Sequence, residues 1–386
     1  VKHLLAQLDA VPGGPALRRA AAAASTPAYL VGGAVRDLLL GRPPRELDVA
    51  VEGDLTALVD AIGGAVEHHP RFGTAIIRGE GWCVDVARCR TEYYPDPGAL
   101  PDVAPADIRA DLLRRDATVN AIAVALADGE VVAAPHALED LRAGVLRVLH
   151  DRSFLDDPTR LWRLARYRAR LGFELEAGTA ALAGAAVDGG ALGTVSGVRI
   201  GNELRLALVE DDPVAALASA AALGLAPWLH PDRERIDAAC ELLPAGGRVE
   251  LAVLAAALGS AADAGLLDAF GFPAADRDIV MSGLAVRRGG RTPAGDRPSQ
   301  IAAAFRGLPD EAVAVSPPAQ RAAAARWLRD LRDIRLAIDG DDLIAAGIPQ
   351  GPEVGARLDA TLAAVLDGEV PPTREAQLAA ALGSSA

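Results

Sequence analysis

The stretch that decides the fold runs from Tyr29 to Asp54, YLVGGAVRDLLLGRPPRELDVAVEGD. Its spacing predicts strand, glycine turn, helix, proline turn, strand. Tyr29-Leu30-Val31 is a short apolar strand, and Gly32-Gly33 permits a tight turn whose backbone can come close to a ligand. Ala34 to Leu40 is built of helix formers, and Gly41 stands where a C′ glycine ends a helix. Pro43-Pro44 cannot continue it. A second strand is expected over Glu46 to Val51, and its period of two sends the carboxylates of Glu46 and Asp48 off one face. Such a couple suits a divalent cation shared with phosphate oxygens, a setting typical of Mg²⁺. Gly32 and Gly33 offer backbone N–H groups to phosphates, and Arg36 in the first helical turn adds charge. The competing readings are a dinucleotide-binding turn and an acidic surface strand. Gly-Gly-x-x-Arg-Asp is not the Gly-x-Gly-x-x-Gly spacing of the former.

Working outward, 386 residues with 51% hydrophobic content are enough for two or three domains with cores of their own. No uncharged run of eighteen apolar residues occurs, so no membrane-spanning helix is expected. The first residues, VKHLLAQLDAVPGG, carry no secretion-type apolar core. Cys83, Cys89 and Cys240 form neither a ligand pattern nor a disulfide framework, and a reducing cytoplasm is the expected setting. The six histidines show no metal spacing. A net charge of −13 argues against a protein that coats duplex DNA. The basic side chains are unevenly placed, however. Lys2 is the only lysine, and arginines 142, 147, 152, 160, 163, 166, 168 and 170 crowd one stretch. That seam suits phosphate held in a cleft; a solvated helix face is the alternative.

Along the chain, residues 1 to 25 are expected to be helical, as are Leu55 to Ile62 and Asp107 to Arg115. Phe72 to Ile77 and Trp82 to Ala87 alternate as strands, and Asp128-Gly129 is a hairpin turn before Val131-Val132. Tyr93 to Pro101 is a loop by its proline and glycine punctuation. After about Leu149 strand signals fade and Ala/Leu/Arg-rich helical periodicity takes over. The expected architecture is α+β: a head with a mixed sheet over residues 1–148, then all-helical neck (149–212), body (213–318) and tail (319–386) segments.

Leu30 to Asp37 followed by Glu46-Leu47-Asp48 resembles the head signature of class II tRNA nucleotidyltransferases and bacterial poly(A) polymerases. That family ordinarily has Asp-x-Asp on a polymerase-β-like sheet, so Glu46 is a departure. Its extra methylene displaces the carboxylate by roughly 1.5 Å unless the strand shifts, on a scale where about 1 Å matters. Val84 to Glu92 resembles the strand of the third carboxylate, implying that Asp85 orients a metal or acts as general base; an Asp satisfied by Arg88 or Arg90 is equally consistent. Asp111 to Ala121 matches the family string Arg-Arg-Asp-Phe-Thr-Ile-Asn-Ala, with Ala117 in place of Phe. By that match Arg115 and Asp116 hold the sugar and Asn120 holds the local turn.

Asp156 to Arg166 resembles the motif Glu-Asp-x-x-Arg. Asp157 and Arg160, three apart on one helical face, would then read the base: the carboxylate accepts from the exocyclic amine of cytosine or adenine, and the guanidinium donates to the neighbouring ring nitrogen. A simple salt bridge between the two is the plainer reading. Arg163 and Arg166 extend the nucleotide site. Thr194 to Leu204 sits at the family's neck helix and is expected to stabilise it, whereas Gly340 to Gly355 resembles a tail segment that offers N–H groups to tRNA phosphates or acts only as a brace. The resemblance implies an enzyme that adds C and/or A from CTP or ATP to a tRNA 3′ end. Two Mg²⁺ ions would be held by Glu46 and Asp48. A poly(A) polymerase and a non-catalytic RNA-binding relative are the alternatives it leaves.

Overall fold

The computed structural model describes residues 2–24, 26–69 and 73–383. It divides into two compact units, Val1–Ala226 and Pro227–Ala386. In the first unit the strands are β1 (Ala28–Val31), β2 (Leu47–Val51), β3 (Ala65–His69), β4 (Thr74–Gly79), β5 (Trp82–Arg88), β6 (Arg90–Tyr93), β7 (Asp102–Pro105), β8 (Ile122–Ala125), β9 (Val131–Ala133), β10 (Val145–Leu146) and β11 (Glu174–Leu175). Its helices are α1 (Lys2–Asp9), α2 (Gly14–Ala23), α3 (Gly33–Leu39), α4 (Thr56–Ile62), α5 (Ile108–Leu113), α6 (Ala137–Ala143), α7 (Ser153–Asp156), α8 (Thr159–Leu171), α9 (Ala177–Asp188), α10 (Gly197–Leu208) and α11 (Pro213–Ala222).

Seven strands form one mixed sheet in the order β3-β4-β5-β2-β1-β8-β9. Only β2 and β5 run parallel within it, and their register sets Asp48 opposite Asp85. Leu30, Val49, Val51, Ile77, Val84, Val86 and Ile122 are all buried along this sheet. Burial of such side chains contributes on the order of 2 kcal/mol each, which holds β1 and β2 in the register that aims their ends at a common cavity. The glycine turn comes out as expected: β1 ends at Val31, Gly32 turns at φ 67°, and α3 follows. Gly41, at φ 71°, closes α3 as its C′ residue.

Several expectations shift. The helix expected over the first 25 residues is broken at the Pro12-Gly13 turn, where Gly13 has φ 85°. Glu46 lies just outside β2, because the β5 ladder begins at the Leu47–Val84 pair and gives Glu46 no partner. The strand expected from Phe72 begins at Thr74; Phe72 itself lies outside the described residues. β3 was not anticipated: its Glu67 and His68 are exposed, so no apolar alternation marks it. The loop expected from Tyr93 begins one residue later, since Tyr93 ends β6 opposite Asp102, and Tyr94 to Pro101 form the tip of the antiparallel ribbon made by β6 and β7.

The second unit is helical: α12 (Arg233–Leu242), α13 (Val249–Ala257), α14 (Ala264–Ala269), α15 (Ala274–Arg287), α16 (Pro298–Phe305), α17 (Asp310–Ala314), α18 (Arg321–Arg326), α19 (Gly340–Ala345), α20 (Pro352–Leu366) and α21 (Arg374–Gly383). α13 is buried at every position from Leu251 to Ala257. A helix apolar all round belongs at a centre, and α12, α15 and α17 surround it. A second core joins Ile301, Phe305, Trp327, Leu331, Leu362 and Leu366.

Candidate active site

A cavity of about 730 Å³ opens in the first unit between the β1–α3 turn and α8. Of the residues expected to form a site, Gly32, Gly33, Arg36, Glu46, Asp48, Arg115, Asp116, Asn120, Asp157, Arg160, Arg163 and Arg166 all line it. Asp85 does not. It sits beside Asp48 on the neighbouring strand and accepts a long contact from the Cys83 thiol at 3.7 Å. The alternative pairing with Arg88 or Arg90 is not what the structure holds for Arg90, which bonds Glu92.

The turn explains its own glycine. A Cβ on Gly32 would stand 2.8 Å from Arg115 Nη1 and 3.7 Å from Asp48 Oδ2, so the bare backbone leaves room for both side chains to approach the turn. Asp48 is pushed up to about 6. Burial is the first cause, reinforced by Glu46 and Asp85 and opposed by Arg115 and Arg163. Excess carboxylate of this kind calls for positive charge. Among the described residues no three His, Cys, Asp or Glu side chains form a closed metal cage. Glu46 and Asp48 are instead an open pair of oxygen donors, which fits Mg²⁺ completing its shell with water and phosphate.

Behind the turn runs a chain of buried polar groups. Arg36, 2% exposed, donates to Asp37 at 2.8 Å and to Asn120 Oδ1 at 2.7 Å. The Asn120 amide donates to Asp116 Oδ1 at 2.9 Å. Asp116 Oδ2 then accepts from Arg163 Nε at 2.6 Å and Tyr167 Oη at 2.7 Å. Burial alone would raise the Asp116 carboxyl, but Arg163 and the bonds from Asn120 and Tyr167 override it and hold it well below the usual carboxylate range. Tyr167 lies under the guanidinium groups of Arg36 and Arg163, 5.7 and 5.8 Å from its ring centre. Asp116 thus joins α8 to the α3 turn. It is not a helix N-cap, since the short turn after it is capped at Ala117.

At the start of α8, Asp157 and Arg160 do not form the salt bridge that their spacing allows. Asp157 Oδ1 accepts from the Thr159 backbone N–H at 3.1 Å and the Thr159 hydroxyl at 2.7 Å, while Pro158 itself occupies the N-cap position. It also accepts from Arg199 of α10 at 2.8 Å. Arg160 donates to Ser153 Oγ at 2.9 Å and to the Arg114 carbonyl at 2.8 Å, and lies 6.0 Å over the Tyr94 ring. Both side chains therefore enter the cavity from fixed positions, each held by a partner other than its neighbour.

Four sets of residues were not anticipated. Arg199 was expected only to stabilise the neck helix, yet it binds Asp157 and also the Gly98 carbonyl at 2.7 Å. Gly98, at φ 72°, is the point where the ribbon tip meets Thr194. Glu92 gathers Arg90, Arg114 and the Tyr94 hydroxyl at 2.9 to 3.1 Å; the period of two in β6, which puts Arg90 and Glu92 on one side, was the available signal. Asp111, 1% exposed, takes Arg114, Arg115 and the Arg90 N–H. Finally, Glu210 accepts from Arg166 at 3.1 Å, Arg170 at 2.9 Å and Arg45 at 3.3 Å, and Glu203 takes Arg166 at 2.5 Å. Arg166 and Arg170 of the arginine seam are thereby neutralised within the wall. Even so, ten arginines against seven carboxylates line the cavity, a positive excess inside a chain of net charge −13.

The family model described as the poly(A) polymerase head domain matches residues 28–147. The chain is 36% identical over 387 residues to an A-adding tRNA nucleotidyltransferase of Geobacter sulfurreducens, covering 89% of this chain and 43% of that protein. It is 35% identical over 339 residues to a CC-adding tRNA nucleotidyltransferase of Deinococcus radiodurans, covering 85% of this chain and 82% of that one. The chain spans less than half the length of the A-adding relatives that it matches. Among solved structures, a Thermotoga maritima CCA-adding enzyme complexed with tRNA superposes with a TM-score of 0.74 at 26% identity, covering 99% of this chain and 98% of that one.

Proposed function

Because the chain belongs to the class II tRNA nucleotidyltransferase family, we propose that it adds C and/or A from CTP or ATP to the 3′ end of tRNA. The observation that carries this reading is one cavity that holds both an open carboxylate pair, Glu46 and Asp48, and a separately anchored base-reading pair, Asp157 and Arg160.

In this reading the positive cavity draws in the triphosphate, which meets the N–H groups of the Gly32-Gly33 turn. Arg36 supplies charge from behind that turn, and Arg115 supplies it from over it. The sugar faces Arg115 and Asp116, with Asn120 fixing Asp116 and Arg163 joining them. The base lies against Asp157 and Arg160. A cytosine or adenine amine donates to the carboxylate, whereas the carbonyl of uracil or guanine meets it unpaired, a mismatch worth about 1–3 kcal/mol. The tRNA 3′ hydroxyl gives up its proton to water, its oxygen bonds to the α-phosphorus, the bridge to the β-phosphate breaks, and pyrophosphate leaves with the electron pair. Glu46 and Asp48 would hold two Mg²⁺ ions, which supply acidity to the attacking hydroxyl and charge for the departing pyrophosphate. Asp85, beside Asp48 on the neighbouring strand, would orient a metal or act as general base.

The head (1–148) then performs the chemistry, the neck (149–212) selects the base, and beyond the helical body (213–318) the tail (319–386) binds the tRNA. The setting proposed is the cytoplasm; no helix among the described residues is long and apolar enough to cross a membrane.

The test uses tRNA transcripts ending before CCA, after C and after CC, plus an unstructured RNA, each with labelled CTP or ATP and Mg²⁺. Extension that Asp48→Ala abolishes supports the reading, and the accepted end names the subtype. ATP-only extension of the unstructured RNA would establish a poly(A) polymerase instead. If no transcript grows while tRNA still binds, the catalytic reading fails and Glu46 is the first suspect.

A further inference from the structure

In the second unit three arginines converge on the C-terminal end of α13. Arg235 donates Nε to the Ala256 carbonyl at 2.9 Å and Nη2 to the His230 carbonyl at 2.8 Å. Arg287 binds the Ala256 and Leu258 carbonyls, and Arg288 reaches the Ser260 carbonyl at 2.9 Å. None of the three pairs with a carboxylate among the described residues. Asp232, three residues before Arg235, is spent as the N-cap of α12, accepting from the Arg235 backbone N–H at 2.8 Å, and Asp237 lies 4.0 Å from Arg233.

One cation at a helix C-terminus is ordinary capping, since the aligned peptides leave about half a negative charge there. Three full positive charges exceed that several-fold. The surplus is felt: burial, then the neighbouring Arg235 and Arg288, bring the Arg287 guanidinium down to about 10. Other arginines of this unit do pair with acids. Arg277, on the same helix α15, bonds Asp268 at 2.7 Å and Asp278 at 2.8 Å. Backbone carbonyls have fixed the three guanidinium groups in place, while leaving their charge uncompensated and Arg288 exposed.

We propose that Arg235, Arg287 and Arg288 form a phosphate-backbone site for RNA in the second unit, gripping tRNA independently of the nucleotide cavity. The inference rests on the tRNA reading above and assigns the contact to residues outside the 319–386 segment. Carbonyl anchoring makes the site rigid, so it recognises backbone phosphate by position and not by base.

The measurement is the affinity of the full chain for a tRNA transcript lacking CCA, as a function of NaCl at constant Mg²⁺. Each phosphate contact contributes about 0.9 to the slope of log K against log salt for duplex. Arg288→Ala is expected to lower that slope by about one, and Arg288→Lys to restore it. The Arg235→Ala/Arg288→Ala pair should lose about two. Arg277→Ala removes the same charge from α15, the helix that Arg288 caps, but a charge already paired, and should leave the slope unchanged. Equal slopes for wild type and Arg288→Ala, with circular dichroism and melting unaltered, would overturn the site. So would a loss in Arg277→Ala as large as in Arg288→Ala, because bulk charge would then suffice. Extension of the same transcript by the wild type separates the two readings: a chain that extends tRNA with unchanged slopes loses only this inference, and one that neither binds nor extends tRNA loses both.

Discussion

Arg199 and Asp157, forty-two residues apart in the chain, meet at 2.8 Å, and the other arm of the same guanidinium holds the Gly98 carbonyl. One side chain thus fixes both the base-reading carboxylate and the tip of the β6–β7 ribbon. Arg199→Ala removes one anchor from each, leaving Asp157 to Thr159 alone, and kcat/KM for the accepted nucleotide should fall about 10- to 100-fold, since displacements near 1 Å have that cost. Discrimination against UTP and GTP should weaken as well. Lysine keeps the charge but not the fork, so Arg199→Lys should recover little. Single-nucleotide incorporation with all four triphosphates measures this, and unaltered discrimination in Arg199→Ala would remove Arg199 from base selection.

Gly98 and Gly41 share a left-handed backbone, at φ 72° and 71°, but not their surroundings. A Cβ at Gly98 runs into Thr194, coming within 2.8 Å of its carbonyl oxygen, whereas one at Gly41 meets nothing within 4 Å. Gly41→Ala should therefore cost only backbone strain, about 1 kcal/mol, with turnover close to wild type. Gly98→Ala should push the ribbon tip off the neck and lower turnover by about ten-fold or more, with little change in melting. Equal turnover in the two variants would show that the tip's placement is irrelevant to the reaction.

Glu210 draws Arg45, Arg166 and Arg170 together from two sides of the cavity. Burial alone would raise its carboxyl, but Arg170 and then Arg166 hold it below its usual range. Glu210→Ala leaves Arg170 without its carboxylate and buried Arg166 with Glu203 alone, and should destabilise the first unit by roughly 3 kcal/mol. Arg45→Ala, at a side chain 40% exposed, should cost less than about 1 kcal/mol. Urea unfolding of the two variants checks the ratio, and similar midpoints would mean that Arg45 bears as much of the cluster as its buried companions.

Asp48 gives a pH signature. Its carboxyl is raised to about 6 in the folded chain, so folding favours the protonated form and stability declines as pH climbs from about 4 to about 6. Above that the deficit is fully present. Asp48→Asn should accordingly stabilise the metal-free protein at pH 7.5, by roughly 1–2 kcal/mol once partial exposure is allowed for. Near pH 3.5 it should make no difference. Thermal melts with chelator at the two pH values decide this, and a gain that is the same at both would assign the effect to packing.

The α+β head and helical remainder were legible because β1, β2, β4, β5 and α3 carry their own periods and stops. The glycine turn needed only Gly32, Gly33 and Gly41 to be recognised. What escaped was tertiary. Asp116 meets Arg163 across forty-seven residues, and Arg166 meets Glu210 across forty-four, pairings that no local period encodes. The spacing of Asp157 and Arg160 suggested a mutual contact, but a side chain satisfied from elsewhere need not use its helical neighbour. Glu46 slipped out of its strand because pairing, and not the polar alternation, sets where a ladder begins.

A practical outcome lies in the arginine-only lining of the cavity. Acylating reagents attack amines and spare guanidinium; the one lysine of this sequence is Lys2, and every basic side chain that lines the cavity is an arginine. Amine chemistry thus offers a way to tether or label the protein near its first residues with the nucleotide cavity chemically untouched. An arginine-directed dicarbonyl, by contrast, would find ten targets in that lining, and bound nucleotide should shield them.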